Sequence, residues 1–296
     1  MNILITGGSG FIGSALCTQL LEKTDNQLYL LTRQPEKIMA PLRGFKSLDQ
    51  IDTDTQFDVV VNLAGEPIAD KRWSDYRKQE ILRSRIDTTQ QLIDFFRQQK
   101  IKPRTFISGS AIGYYGIGIE DQPVTEDSKG DASFSSQLCQ QWESTAMQAE
   151  KLGIRTCIIR TGIVLGKNGG ALGKMLLPFK LGLGGKIGSG QQWMPWIHLQ
   201  DLVGLFVHCI NHRHTSGILN GTAPNPVTNR SFTRTLGKVL SRPALLPLPA
   251  TIVKLLMGQM GEELLLSGKN VIPSHALKSG YEFRYTHLED ALASCI

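Results

Sequence analysis

The run MNILITGGSGFIG at residues 1–13 carries an apolar stretch straight into Gly7, Gly10 and Gly13. That spacing leaves the opening of the chain little choice: a strand must turn at once into a helix whose first turn faces a dinucleotide. Gly7 allows the tight turn, Gly10 lets backbone approach a pyrophosphate, and Gly13 lets the helix lie close on the strand. The free N–H groups and the positive dipole end of that helix then meet the phosphates. The amphipathic positions Phe11, Leu16, Leu20 and Leu21 supply the helical context that the glycines require. Gly7, Gly8, Ser9, Gly10, Phe11, Ile12 and Gly13 are therefore candidate cofactor-binding residues.

The residue that discriminates NAD from NADP lies about 20 positions further on, at the end of the second strand. Here residues 28–31 lead into Thr32 and Arg33, with Lys37 a helical turn later. An NAD site would present Asp or Glu to the ribose hydroxyls; a guanidinium meets a 2′-phosphate through charge-assisted bonds. Thr32 and Arg33 thus point to NADP(H), the alternative being a solvated arginine at a strand end.

Strands and helices alternate over residues 1–166. The unbroken apolar run at 58–65 reads as a central parallel strand buried on both faces. A helix extends to Gln99, a strand spans 105–109, a helix runs from about Ser135 to Leu152, and 155–165 reads as one strand. Residues 35–56 form a shortened polar connection. Such alternation predicts an α/β fold, a Rossmann-like doubly wound parallel sheet. Nine glycines between 166 and 190 mark a mobile excursion from the sheet. The predicted organisation is a dinucleotide-binding domain from 1–166 and 191–221, with a small C-terminal, substrate-side subdomain from 167–190 and 222–296.

The formal charge of +6 raises nucleic acid or an acidic membrane as partners. Within 70–87, however, Lys71, Arg72, Arg77, Lys78, Arg83 and Arg85 are interleaved with Asp70, Asp75, Glu80 and Asp87. Such interleaving is a salt-bridged solvated helix face. Neither nucleic acid nor membrane is expected as a partner, and no run approaches the ~18 apolar residues of a membrane helix. The start lacks the basic segment and continuous apolar core of a signal peptide. The five cysteines, Cys17, Cys139, Cys157, Cys209 and Cys295, are odd in number and lack metal-ligand spacing, which suits a reducing cytoplasm and argues against a disulfide framework or a metal site.

The glycine pattern, Asn62–Leu63–Ala64–Gly65, SGSAIGYYG at 108–116 and WIHLQDL at 196–202 together resemble the extended short-chain dehydrogenase/reductase superfamily over about the first 220 residues. Arg72–Trp73, SRIDTT at 84–89, QWMPWIH at 192–198 and Ser267–Gly268 resemble more narrowly the YfcH-type epimerase family proteins, over nearly the whole chain. The resemblance implies a nicotinamide dinucleotide held additionally by Leu63, Ala64, Gly65, Ser108 and Arg160. It also implies dimerisation through a helix pair that includes residues 70–99.

In the superfamily a Tyr and a Lys four residues later do the chemistry, the Lys lowering the Tyr pKa and holding the nicotinamide ribose, while an upstream Ser polarises the substrate oxygen. Ser110 matches that serine. The Tyr slot falls on Ser135 and the Lys slot on Cys139, and residues 132–142 contain neither Tyr nor Lys. The slot for a diphosphate-binding Arg holds Met194, amid Trp193, Pro195 and Trp196, an uncharged aromatic wall unsuited to a nucleotide sugar. Replacement proton donors are Tyr115, aimed toward the cofactor, and Tyr114; Glu126 and Asp127 are alternatives, and Cys139 would need a lowered pKa to act. His198 reads as a structural hydrogen-bonder, and His208, His212 and His214 lack the carboxylate or thiolate partners of a metal site. Two functions are expected: an NADP(H)-dependent oxidoreductase or isomerase of a small, largely uncharged carbonyl or hydroxyl compound, or a non-catalytic NADP(H)-binding redox sensor.

Overall fold

A computed structural model describes every residue except Lys23, Thr24, Thr53 and Asn168. Its first half runs β1 (Asn2–Thr6), α1 (Phe11–Glu22), β2 (Gln27–Leu31), β3 (Arg43–Phe45), β4 (Val59–Asn62), α2 (Asp75–Gln98), β5 (Thr105–Ala111), β6 (Ile119–Val124), α3 (Phe134–Ala146) and β7 (Arg155–Thr161). It continues with β8 (Ile163–Leu165), α4 (Gly170–Lys180), β9 (Trp193–Met194), β10 (Trp196–His198), α5 (Leu199–Asn211), β11 (Gly217–Gly221), β12 (Val227–Thr228) and α6 (Asn229–Val239). The chain ends through α7 (Ala250–Met257), α8 (Gln259–Leu264), β13 (Gly268–Val271), α9 (Ser274–Lys278) and α10 (Leu288–Cys295).

Seven strands form one sheet in the order β11-β7-β5-β4-β1-β2-β3, every neighbouring pair parallel. The chain winds outward from β1 to β3, then crosses back to β4 and builds the other half, so the expected doubly wound sheet is present. Side chains of a strand alternate between faces, and here both faces are apolar. Ile3, Ile5, Val59, Val61, Ile107 and Ile159 join a core with Leu16, Leu20, Leu205 and Phe206 from α1 and α5. Leu4, Val60, Phe106 and Ile158 join a second core with Leu92, Ile93 and Phe96 of α2.

The segment read as a single strand at 155–165 is broken at Gly162. There the backbone passes so close to Pro195 that a Cβ would lie 2.4 Å from its carbonyl oxygen, and β8 leaves the main sheet to pair with β10. The polar connection at 35–56 contributes the three-residue edge strand β3, too short to show a hydropathy period. The glycine-rich excursion holds the regular helix α4, whose Leu172 and Phe179 anchor a third core with Trp196, Phe232, Leu236 and Leu292. Its first glycines fit against Phe11: a Cβ at Gly169 would lie 2.5 Å from that ring and one at Gly166 2.9 Å.

Candidate functional site

The ends of β1 and β4 lie side by side where the strand order reverses, the place where open α/β sheets receive ligands. Gly7 has φ +68°, and a Cβ on it would lie 2.5 Å from the Leu63 carbonyl oxygen; one on Gly13 would lie 2.2 Å from the Gly7 carbonyl oxygen. These two glycines press α1 onto the turn. Gly10 differs: a Cβ there would meet only the Gly7 oxygen, at 3.2 Å, and Gly10 and Ser9 are exposed. A cavity of about 510 Å³ opens beside them, lined by Ser9, Gly10, Phe11, Ser14, Lys167 and Leu199. Ile12 is half-buried behind this surface and Gly8 is buried.

The stretch after β4 is tied to β1. The Leu63 N–H donates to the Thr6 carbonyl at 3.1 Å, the Ala64 N–H to Thr6 Oγ1 at 3.1 Å, and Thr6 Oγ1 to Asn62 Oδ1 at 2.7 Å. Gly65 is exposed and abuts Arg85, whose guanidinium carbon would lie 2.9 Å from a Cβ there. Thr32 and Arg33 follow β2. The Arg33 side chain is 91% exposed, and its Nη1 pairs with Glu66 Oε1 at 3.0 Å.

A buried polar network lies behind β5. Ser110 and Arg160 are register partners on β5 and β7, and Glu143 reaches them from α3. Ser110 Oγ donates to Glu143 Oε1 at 2.6 Å; Arg160 donates to both carboxylate oxygens, Nε at 2.9 Å and Nη2 at 2.8 Å. Arg160 Nη1 donates to the Tyr115 hydroxyl at 2.9 Å, and that hydroxyl donates to Asn220 Oδ1 at 2.7 Å. Burial opposes the Arg160 charge, and the Glu143 carboxylate more than offsets it, so its pKa is raised. Tyr114 lies with its ring centroid 3.3 Å from the Arg160 guanidinium carbon.

This arrangement places several of the expected site residues in the interior. Tyr115, the favoured proton donor, is 1% exposed with both hydrogen-bonding roles of its hydroxyl taken. Burial pushes its pKa up to about 12, against the pull of Arg160. Tyr114 is half-buried, and no described residue bonds its hydroxyl. Arg160 and Ser108, expected at the cofactor, are wholly buried: Arg160 is consumed by the network, and Ser108 Oγ bonds Asn62 Nδ2 and the Gly109 carbonyl. Glu126 is also interior, its Oε1 accepting the N–H groups of Asn220 and His275.

Cys139 is an inert thiol. Burial and the charge of Glu143 push its pKa up to about 11, outweighing the nearby Arg85 cation. Arg85 itself is held by the carbonyls of Glu66 and Ile81, at 3.0 and 3.1 Å, above the Trp142 ring. Burial lowers its pKa. His198 caps α5, its Nδ1 accepting the Gln200 N–H at 3.1 Å while Nε2 meets Ser294 Oγ at 3.1 Å. Among the described residues no group of three His, Cys, Asp or Glu side chains could hold a metal ion.

Glu143, Arg85 and Glu66 bond or abut the candidate residues and were not expected among them. Ser135, Cys139 and Glu143 share one buried face of α3 at four-residue spacing, a pattern that signals an acid turned inward and therefore in need of a partner.

The model of the NAD dependent epimerase/dehydratase family matches residues 3–220, and that of a domain of unknown function, DUF1731, matches 248–295. The chain is 38% identical over 300 residues to the human epimerase family protein SDR39U1, covering all of both chains. It is 39% identical to the chloroplastic homologue of Arabidopsis thaliana, over 99% of this chain and 86% of that one. A crystal structure of the human protein with NADPH superposes with a TM-score of 0.88 over 99% of this chain and 98% of that chain. UDP-glucuronic acid 4-epimerase of Bacillus cereus, 20% identical over 100% of this chain and 97% of that one, shares the fold with a TM-score of 0.78.

Proposed function

The chain belongs to the NAD dependent epimerase/dehydratase family, and on that premise we propose that it is an NADP(H)-dependent oxidoreductase or isomerase of a small, largely uncharged carbonyl or hydroxyl compound. NADPH in the solved human relative, the bare backbone at Gly10 and the exposed Arg33 support the cofactor. The glycine loop Gly7–Gly13, with Leu63, Ala64 and Gly65, would hold it, and Arg33 would exchange Glu66 for the 2′-phosphate. The cofactor supplies a hydride donor or acceptor when bound. The observation that carries a catalytic reading is Tyr114: of the paired tyrosines beside Ser110 it alone keeps its hydroxyl free of described partners, while the Arg160 guanidinium fixes its ring. Tyr114 donates or receives the proton at the substrate oxygen. Ser110, whose own hydrogen is given to Glu143, can accept a hydrogen bond from a substrate hydroxyl. Arg85 supplies a cation next to the cysteine that occupies the family's lysine slot.

The second reading, a non-catalytic NADP(H)-binding sensor, draws on the absent Tyr–Lys pair and on the commitment of Ser110 to Glu143. Calorimetric titration with NADPH and NADH, followed by single-turnover loss of nicotinamide absorbance against a panel of carbonyl compounds, separates the two. Turnover on any compound, lost in Tyr114→Phe, supports the enzyme; tight NADPH binding with no oxidation across the panel supports the sensor. Reduced cysteines, five free thiols all buried, support a reducing compartment such as the cytoplasm. No described helix is long and apolar enough to cross a membrane. The family also suggests a homodimer through α2, which sedimentation velocity would test.

A further inference from the structure

A second cavity, of about 410 Å³, lies on α6 and shares no lining residue with the one at the glycine loop. Arg230, Arg234 and Lys238 line it at four-residue spacing along one face of α6, joined by Lys186 and by Arg242. Of these five cations only Lys238 forms an ion pair with a described residue, to Glu289 at 2.7 Å. Lys186 and Arg230 reach only toward the Ser189 carbonyl, each at 3.4 Å, and Arg242 Nε donates to the Lys180 carbonyl at 3.1 Å. Like charges gathered this closely repel one another and persist best where an anion neutralises them.

Arg230, Arg234 and Lys238 are all exposed, so their charges are open to a ligand in the cavity. The opposite wall is apolar, made by Ala244, Leu245 and Pro247, with Leu245 81% exposed.

We propose that this cavity is a binding site for a small organic phosphate, a phosphoryl or pyrophosphoryl ester whose charged end is held by Arg230, Arg234 and Lys186 and whose non-polar portion rests on Leu245 and Pro247. A single carboxylate would leave most of the positive charge uncompensated. Guanidinium forks match phosphate oxygens in pairs, and the cavity has room for more than the phosphate alone. The site is independent of the cofactor assignment.

The test is isothermal titration of the full chain, saturated with NADPH so that the glycine loop is occupied, with inorganic pyrophosphate at physiological salt, and with NADPH affinity measured alongside. One saturable site is expected, weakened at least tenfold in Arg234→Gln and likewise in Arg230→Gln, both positions exposed, with NADPH affinity unchanged in both. Arg234 is exposed, so its substitution leaves the fold intact. The proposal is overturned by the absence of saturable binding, by binding equally strong in both variants, which would place pyrophosphate elsewhere, or by a single-stranded oligonucleotide binding more tightly than pyrophosphate through the same residues.

Discussion

Replacing Glu143 by glutamine should destabilise the fold by about 3 kcal/mol. The side chains of Arg160 and Glu143 are 1% and 7% exposed, and removing one partner of a buried pair strands the other charge at a cost of roughly 3–5 kcal/mol. Glutamine keeps the shape and one acceptor oxygen, so Ser110 and one Arg160 nitrogen retain a bond and the loss falls at the lower end of that range. Against the 5–15 kcal/mol typical of whole domains, this is a large fraction. Urea titration followed by circular dichroism would read it as a midpoint lowered by about 1 M with the slope unchanged, for a slope of roughly 3 kcal/mol per M. In a double variant with Arg160→Met the two losses should fall short of additivity by more than about 1 kcal/mol, because each change removes the charge that the other strands. A midpoint shift worth less than about 1 kcal/mol, or simple additivity in the double variant, would refute the argument.

Three further outcomes are expected. Glu66→Gln removes the competitor for the Arg33 guanidinium and should tighten NADPH more than NADH, whereas Arg33→Ala should weaken NADPH selectively by about 1–3 kcal/mol; parallel titrations of both cofactors read this, and equal effects on the two would remove the 2′-phosphate assignment. Gly13→Ala forces a methyl against the Gly7 carbonyl and should abolish cofactor binding while also lowering the melting temperature, measured by calorimetry; an unchanged Kd would show that the loop does not need this contact. Burial, aided by Arg284, lowers the His198 pKa to about 4, so the unfolded chain takes up a proton that the folded chain refuses: this contribution to stability is full above about pH 6.5 and declines as pH falls toward 4. His198→Asn keeps a cap on α5 and should flatten that part of the urea midpoint against pH; an unaltered slope would exclude His198.

The glycine loop, the central strands and the loss of the Tyr–Lys pair were legible because each depends on residues close together in the chain. The network behind β5 was not. Ser110, Glu143 and Arg160 come from three elements, and only the β5–β7 register and the inward face of α3 bring them together. Tyr115 illustrates the same limit. Nothing local distinguishes two adjacent tyrosines, and the choice was made by Asn220 on β11 and Arg160 on β7, which take up one hydroxyl. Gly162 shows how a contact with a distant residue, Pro195, divides an apolar run that would otherwise read as one strand. Arg33 is legible as a cation at the end of β2, but its pairing with Glu66 depends on where the chain re-emerges after β4.

The strand order also sets which part of the chain completes the sheet. The segments that form β1 to β5 lie within residues 1–111, so five of the seven strands precede α3 in the sequence. The two later strands extend one edge, β7 beside β5 and β11 beside β7. Without β7 in place, the edge that carries Ser110 is open and Glu143 has no guanidinium to meet. Closure of the ion pair therefore requires β7 to be docked on β5. Any state in which β7 is undocked leaves an unpaired parallel edge open to other chains, a template for aggregation.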